Sequence, residues 1–185
     1  MPARQRETQA VSGRPSGAAD AAGAAAGPRQ APPEVRRLGA QDLELMDGLL
    51  QAFGEAFDDL PTYTGRRPDA AYLRRLLASD GFIALVAVQG GAVVGGLAAY
   101  ELQKYEQARS EIYLYDLAVL AAHRRRGIAT ALIERLKAVA AERGAWVVFV
   151  QADTGPEDAA AIALYDRLGT RSEVLHYDIA VCRGT

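Results

Sequence analysis

The chain has 185 residues, a formal net charge of −2, and apolar side chains at half of its positions. That length allows one domain with a sizeable core, and the near-neutral charge argues against a general nucleic-acid binder, which would carry a basic face. No apolar run approaches the ~20 residues of a membrane span. The one cysteine, Cys182, cannot form an internal disulfide, which fits a reducing, cytoplasmic location.

The first 34 residues differ in composition from the rest. They are rich in Ala, Gly, Pro and Arg and contain almost no large apolar side chain. Such a segment cannot bury enough surface to offset the entropy lost on ordering. We therefore expect residues 1–34 to be a disordered extension and residues 35–183 to form one folded domain. The extension also lacks the continuous apolar core of a secretory signal.

The first part of the domain predicts one strand and two helices. Residues 35–38 are a short strand, and Asp42 is placed to cap a helix that runs through Phe57 and is broken by Pro61. Pro68 suits the first turn of the second helix. The apolar stripe of the first helix consists of Leu45, Leu49, Phe53 and Ala56. The side chains of the second helix expected to face the core are Tyr72, Leu73, Leu76 and Leu77.

The remaining elements form a β-meander followed by alternating strands and helices. Two strands flank the tight turn Gln89-Gly-Gly-Ala92, where glycine accepts a positive φ. This mixed order predicts an α/β fold with helices on both faces of a sheet. The predicted strands are residues 82–88, 93–102, 109–119, 145–151 and 171–181, and the predicted helices are residues 127–143 and about 157–168, the latter ending at Gly169.

The most informative segment joins the third long strand to the next helix through a basic turn. The free N–H groups and the positive end of the helix dipole converge there and form an anion site. Gly127 allows a phosphate to approach the backbone, the small Ala129 keeps the approach open, and residues 124–126 add three arginines. From this turn alone, an ordinary strand-to-helix connection with solvated arginines is an equally good interpretation.

A second segment makes the pattern more specific. Arg124-x-x-Gly127-x-Ala129 resembles the pyrophosphate loop of the GNAT N-acetyltransferases, which use acetyl-coenzyme A, and residues 158–169 resemble their second coenzyme motif. Asp158 stands where asparagine is common, and Asp caps a helix equally well. The resemblance implies a GNAT-type mixed, mostly antiparallel central sheet with helices on both faces. The coenzyme-binding residues it implies are Leu117, Ala118, Val119, Arg124, Arg125, Arg126, Gly127, Ile128, Ala129, Thr130, Asp158 and Ala161.

The chain is more closely similar to the aminoglycoside 3-N-acetyltransferases of type I. These enzymes acetylate the 3-amino group of the 2-deoxystreptamine ring and inactivate gentamicin-like antibiotics. The resemblance implies an aminoglycoside acceptor, acetyl-coenzyme A as cosubstrate and a role in antibiotic resistance, and a homodimer by analogy with relatives. The stretches that carry it are residues 82–85, 93–100, 109–119, 123–124, 127–133 and 150–153.

Direct attack of an amine on a thioester requires a group that removes a proton from the amine. Asp116 is the first candidate, because a carboxylate is unfavourable within a strand unless something recruits it. The alternative is a structural aspartate that accepts a backbone hydrogen bond. Its neighbour Tyr115 is expected to point to the other face of the sheet.

The family resemblance adds two further expectations at the reacting atoms. A bulge near Leu117 and Val119 would free backbone groups for the thioester and the pantetheine arm. Tyr165 corresponds to the phenol that meets the coenzyme sulfur and donates to the departing thiolate. The alternative for Tyr165 is an ordinary core tyrosine on an amphipathic helix.

A polycationic acceptor requires an anionic cleft. Asp153 and Asp178 are favoured among the acidic residues, because one follows a strand beside the expected cleft and the other lies among apolar residues. The complete set of candidates for binding the acceptor is Tyr115, Glu55, Asp58, Asp59, Glu111, Asp153 and Asp178. His123 and His176 lack metal-ligand spacing, so no metal site is predicted.

Two other functions fit the same features. In the first, the chain is an acetyltransferase whose acceptor is a polyamine or a protein amine, since acidic residues do not distinguish these cations from an aminoglycoside. Alternatively, the chain is a non-catalytic acyl-coenzyme A-binding protein that keeps the phosphate loop without turnover. Asp116 and Tyr165 count against the non-catalytic alternative.

Overall fold

The computed structural model describes residues 32–181, so the predicted extension up to residue 31 and Cys182 lie outside the described residues. The strands are β1 (Glu34–Arg37), β2 (Phe82–Gln89), β3 (Ala92–Gln103), β4 (Ser110–Val119) and β5 (Ala145–Val150). The helices are α1 (Leu43–Ala56), α2 (Leu60–Thr64), α3 (Ala70–Ala78), α4 (Ile128–Glu142) and α5 (Ala159–Leu168). Single 3-10 turns, Ala121–His123 and Pro156–Asp158, precede α4 and α5.

The five strands form one sheet in the order β1-β2-β3-β4-β5. The first four pair antiparallel, and β4 pairs parallel with β5. The predicted mixed, mostly antiparallel sheet is confirmed. The turn between β2 and β3 is also as predicted, because Gly90 and Gly91 have φ values of 60° and 82°, which suit a tight hairpin.

Helices cover both faces of the sheet because β2 is apolar on both sides. Ile83 and Leu85 face the cluster beneath α4, whereas Phe82 and Ala84 face the cluster beneath α1 and α3. A strand buried on both faces reads as a continuous apolar run, as β2 does. The α4 side chains buried in the first cluster are Ile128, Leu132, Ile133, Leu136, Val139 and Ala140. The α1 and α3 side chains buried in the second are Met46, Leu49, Phe53, Leu73 and Leu77.

The start of α1 differs from the prediction. Asp42 occupies the capping position, but its side chain makes no capping hydrogen bond to the helix. It instead accepts a hydrogen bond from the Gly39 N–H at 2.8 Å. The buried stripe is also rotated, since Met46 is buried whereas Leu45 is only half-buried.

The segment after α1 contains a helix that the sequence did not predict. α1 ends at Ala56, and Asp58 turns the chain with a positive φ of 55°. Pro61 does not break α1 but lies in the first turn of α2, where its missing N–H costs nothing. The side chain of Asp59 caps this helix by accepting a hydrogen bond from the Thr62 N–H at 3.2 Å.

Two further predictions about the helices and strands are wrong. Tyr72 of α3 is exposed rather than inward, while Leu73 and Leu77 are buried. Residues 171–181 form no strand, and their apolar side chains are 68–88% exposed. An alternating pattern yields a strand only where the segment pairs with a neighbouring strand and packs on the sheet, and residues 171–181 do neither in the described chain.

No helix within residues 32–181 has both the length and the apolar character needed to cross a membrane.

The packing of α1 on the sheet depends on Gly96 of β3. A Cβ at this position would lie against Leu49 of α1 and 2.5 Å from the Leu85 carbonyl oxygen. We expect Gly96→Ala to lower the free energy of unfolding by about 1–3 kcal/mol, as overpacking does. Gly81→Ala is the matched control, since the nearest atom to its Cβ, the Glu101 carbonyl oxygen, is 4.0 Å away. Equal stability of the two variants in urea denaturation would contradict this account.

Candidate active site

The basic turn before α4 presents its backbone N–H groups to an open space. Arg125 and Gly127 have left-handed φ values of 63° and 78°. The first hydrogen bond of α4 runs from the Ala131 N–H to the Gly127 carbonyl oxygen at 2.9 Å. The N–H groups of residues 128–130 therefore occupy the first helical turn, where an α-helix offers them no acceptor. A Cβ at Gly127 would meet no atom within 4 Å, so this side of the turn has room for a phosphate.

The three arginines of the turn have different surroundings. The Arg124 Nε donates to the Val119 carbonyl oxygen at 2.9 Å, and its Nη2 lies 3.5 Å from the Ala56 carbonyl oxygen. This guanidinium therefore fastens the turn to the ends of β4 and α1, and its contact with a coenzyme stays a prediction. Arg125 and Arg126 are exposed, so their charges are accessible to an anion.

β4 carries a β-bulge at the predicted base. Ala98 of β3 pairs with Asp116, but the next residue, Ala99, pairs with Leu114. Tyr115 is thus the extra residue of the bulge and has no partner in β3. The family resemblance placed a bulge near Leu117 and Val119; the bulge of β4 lies at Tyr115, and residues 117–119 pair regularly with β3.

β4 also separates from β5 just before the bulged residue. The parallel pairing runs from Ser110 to Leu114 of β4, opposite Ala145 to Val150 of β5. β4 continues through residues 115–119 without a β5 partner in the described chain. The backbone groups of Leu117, Ala118 and Val119 therefore border a gap that suits an extended amide-containing ligand such as a pantetheine arm.

The bulge overturns the expectation that Tyr115 points away from Asp116. The Tyr115 ring centroid lies 5.7 Å from that of Tyr100 and 5.6 Å from that of Tyr113. Tyr100 packs in turn on Phe82, on the face covered by α1 and α3. The extra residue breaks the two-residue alternation, so Tyr115 and Asp116 share this face.

Asp116 is half-buried and accepts a hydrogen bond from Tyr63 of α2. The Tyr63 hydroxyl lies 3.3 Å from the Asp116 Oδ1. Burial raises the pKa of Asp116 above its usual range, and the Tyr63 hydrogen bond offsets part of that rise. Burial and the neighbouring Asp116 carboxylate raise the pKa of Tyr63 as well, so its phenol stays protonated.

Sequence reasoning did not find Tyr63. It lies 53 positions before Asp116, in a short helix within a segment read as a helix break. The only local signal was the sequence Asp59-Leu-Pro61, an acidic residue and a proline placed to start a helix.

Tyr165 of α5 is half-buried against the α4 side of the core. Burial, with a smaller effect of the Asp158 charge, raises the pKa of the Tyr165 phenol to about 12. The phenol is therefore a neutral donor at physiological pH. The expectation that Asp158 caps α5 is wrong, because it occupies the capping position without a side-chain hydrogen bond to the helix.

Three residues of the predicted acidic cleft lie in segments next to Tyr63 or to the end of β5. Asp58 and Asp59 form the turn that leads into Tyr63, and the Asp59 charge acts on that phenol. Asp153 is exposed just beyond the end of β5, the strand that runs parallel to β4. β5 pairs with β4 as far as Leu114, two residues before Asp116, so Asp153 follows the end of the strand next to Asp116.

The remaining acidic candidates are engaged elsewhere. Glu111 lies five residues before Asp116, roughly 16 Å along an extended strand, and its carboxylate is 3.5 Å from Lys104 Nζ. Asp178 is exposed in the segment after α5, where its carboxylate lies 3.2 Å from His176 Nε2. The structure therefore does not bring these two carboxylates to Asp116.

The chain is similar in sequence to known acetyltransferases. The family model for the acetyltransferase (GNAT) family matches residues 44–170. N-acetyltransferase family 8 member 2 of Rattus norvegicus is 33% identical over 98 residues, which are 53% of this chain and 42% of that protein. The chain thus spans less than half the length of this curated relative.

Solved structures of acetyltransferases have the same fold. An aminoglycoside acetyltransferase from an uncultured soil metagenomic sample is 65% identical, with a TM-score of 0.80 over 81% of this chain and 99% of that one. A second enzyme of this description, in complex with sisomicin, is 30% identical, with a TM-score of 0.72 over 80% and 96% of the chains. The ribosomal-protein-alanine N-acetyltransferase of Brucella melitensis biovar Abortus 2308 is 27% identical, with a TM-score of 0.62 over 80% and 99%.

The open space beside Gly127 predicts a selective loss of coenzyme binding. Gly127→Asp should abolish binding of acetyl-coenzyme A, because the new carboxylate occupies that space and repels the pyrophosphate. Gly144→Asp is the matched control, since Gly144 has a φ of 71°, equally open surroundings, and a position at the other end of α4. Isothermal titration calorimetry should show normal affinity for the control. Unchanged affinity in folded Gly127→Asp would refute the assignment of this turn.

Proposed function

Because the chain belongs to the GNAT family of acetyltransferases, which use acetyl-coenzyme A, we propose that it acetylates the 3-amino group of 2-deoxystreptamine aminoglycosides. The acceptor class is supported by the 65% identity to an aminoglycoside acetyltransferase over nearly the whole of that chain. The chemistry is supported by the half-buried Asp116 at the point where β4 separates from β5. The 3-amino position and gentamicin-like antibiotics follow from the type I resemblance in the sequence. Antibiotic resistance is the proposed role.

The proposed reaction is direct attack of the acceptor amine on the thioester carbonyl carbon that acetyl-coenzyme A supplies. Most antibiotic amines are ammonium ions at neutral pH, so Asp116 first accepts a proton, directly or through water. The C–N bond then forms and the C–S bond breaks. The nitrogen loses two protons. The first leaves through Asp116 to solvent, and the second leaves after the C–N bond forms and passes through water to restore the Tyr165 phenol, which has given its own proton to the departing thiolate.

Backbone groups hold the cosubstrate in this proposal. The N–H groups of the turn before α4 bind the pyrophosphate, aided by Arg125 and Arg126. Residues 117–119, which pair with β3 but have no partner in β5, line the gap that receives the pantetheine arm. These roles require no movement of the sheet, since the gap beside β4 is already open.

The acceptor wall combines negative charge with aromatic rings. Tyr115, which is 59% exposed, and Tyr63 flank Asp116. Asp58, in the turn before α2, and Asp153, just after β5, are exposed carboxylates that attract a polycation in this proposal. Aromatic faces also attract ammonium groups, so this wall suits an amino sugar. Because the cosubstrate is an intracellular metabolite, we place the reaction in the cytoplasm; a homodimer stays a prediction.

A protein amine or polyamine is the second candidate acceptor. The likeness to a ribosomal-protein-alanine N-acetyltransferase favours it, at the lower identity of 27%. A thiol-release assay with gentamicin, kanamycin, spermidine and an N-terminal peptide separates the two acceptors. Brisk turnover of spermidine or peptide without turnover of any aminoglycoside would favour this alternative, and release of no thiol would favour a non-catalytic protein.

Asp116→Asn tests the proposed base. This change keeps the size of the side chain but removes the proton acceptor, so we expect turnover to fall by about 10²-fold or more with acetyl-coenzyme A affinity preserved. Because burial raises the pKa of Asp116, kcat/KM of the wild type should fall as pH drops through that raised pKa, at higher pH than for an ordinary aspartate. Asp80→Asn, at an exposed position before β2, is the control. Near-normal turnover of Asp116→Asn between pH 6 and 9 would exclude this role.

Asp153 tests the acidic acceptor wall. Asp153→Asn should raise KM for gentamicin more than it lowers kcat, the signature of binding shared by ground and transition states. Added salt should likewise raise the KM of the wild-type enzyme for gentamicin, because it screens the attraction between the carboxylate and the cationic antibiotic. NMR of the product should place the acetyl group on the 3-amino nitrogen. Acetylation mainly at the 6′-amino group would contradict the proposed position and leave the acetyl transfer standing.

A further inference from the structure

The turn between α1 and α2 places one phenol against Asp116. Asp58 adopts a left-handed φ of 55°, which is uncommon for a residue with a side chain. Asp59 then caps α2 through the Thr62 N–H, with Pro61 in the first helical turn. These features fix the direction of a helix of only five residues, and Tyr63 is its only tyrosine.

Aromatic packing fixes the Tyr63 ring as well. Its centroid lies 5.6 Å from that of Phe53 and 5.7 Å from that of Phe57. Phe53 is only 2% exposed, so the cluster is anchored in the core. α2 also packs closely on α1, because a Cβ at Gly54 would lie 3.2 Å from the Leu60 Cα. The Tyr63 hydroxyl therefore reaches Asp116 from a rigid support.

We propose that Tyr63 is a positioning residue for acetyl transfer, whose hydroxyl group holds the Asp116 carboxylate in place to accept the proton of the acceptor amine. This inference rests on the proposed role of Asp116 as the base. Tyr63 itself acts through Asp116 and exchanges no proton with the acceptor.

The hydrogen bond divides the two carboxylate oxygens between two tasks. Oδ1 accepts from the Tyr63 hydroxyl, which leaves Oδ2 to take the proton. After that transfer, Oδ1 is a carbonyl oxygen and still accepts from the phenol. The contact therefore persists in both protonation states of Asp116, and the carboxyl group keeps its orientation through the cycle.

The groups around Asp116 determine the direction of the expected effect. Tyr63 faces it from α2, Tyr100 from β3, and Tyr113 and Tyr115 from β4, while the Asp59 carboxylate before α2 acts on Tyr63. Burial raises the pKa of Asp116, and the Tyr63 hydrogen bond lowers it. Loss of the hydroxyl therefore raises this pKa further, and the acid limb of kcat/KM moves to higher pH.

The test compares Tyr63→Phe with Tyr105→Phe in the full chain. Tyr63→Phe keeps the aromatic packing and removes only the hydroxyl, and Tyr105 is a fully exposed tyrosine of the β3–β4 hairpin. Two quantities are measured: the titration of the Asp116 carboxyl carbon by ¹³C NMR and the pH profile of kcat/KM for gentamicin. In Tyr63→Phe, the midpoint of the titration and the midpoint of the acid limb of kcat/KM should both rise by about one pH unit. This is the scale of a hydrogen bond to a charged group. Neither should move in Tyr105→Phe.

A second replacement keeps the inference testable if Tyr63→Phe folds poorly. Replacement of Tyr63 by 2,3-difluorotyrosine retains the ring and makes the hydroxyl a stronger donor. Both midpoints should then move to lower pH, opposite to the shift in Tyr63→Phe. A purely structural role would change the melting temperature and would not produce shifts of opposite sign.

The two measurements separate the failure of this inference from failure of the proposed base. An unmoved NMR titration of Asp116 in folded Tyr63→Phe overturns the positioning role, whatever the kinetics. A shifted titration with an unmoved kcat/KM profile overturns a role in acetyl transfer, and near-normal turnover of Asp116→Asn would then show that the proposed base is at fault. Parallel shifts of both quantities support the inference.

Discussion

The candidate site depends on one backbone irregularity, the β-bulge at Tyr115. A regular strand would place Tyr115 and Asp116 on opposite faces of the sheet. The extra residue puts both on the face covered by α1 and α3, and just before it β4 leaves β5. One irregularity thus creates a polar face for an acceptor and a gap for an extended cosubstrate, and the two meet at Asp116.

The two faces of the sheet divide the proposed work. The α4 face is closed by an apolar cluster, which holds the N-terminal turn of α4 at the end of β4. The other face carries α1 and α2, whose turn presents Tyr63. Arg124 connects the two sides, because its guanidinium contacts the carbonyl oxygens of Val119 and Ala56. The turn proposed to bind the cosubstrate and the helix that precedes Tyr63 are therefore linked through one side chain.

Local patterns were enough to predict the framework but not the contacts at its centre. The apolar run of β2, the Gly90-Gly91 hairpin and the stripe of α4 are set by residues close in sequence, and the structure confirms them. A bulge has no such local signal, so the side of the sheet on which Tyr115 lies was predicted wrongly. The Tyr63 contact crosses 53 positions and requires the packing of α1 on the sheet. Likewise, residues 171–181 alternate like a strand, but pairing depends on a neighbour that their own pattern cannot supply.

The balance of forces at Asp116 suits a base that acts on an ammonium ion. An ordinary aspartate, with a pKa near 4, is a poor proton acceptor at neutral pH. Each unit by which its pKa lies below the pH corresponds to about 1.4 kcal/mol. Burial raises its proton affinity, yet burial alone would also favour the neutral form, which accepts nothing. The hydrogen bond from Tyr63 opposes this by stabilising the charged form. Proton affinity and retained charge thus come from two different neighbours, the apolar surroundings in the sheet and one phenol on α2.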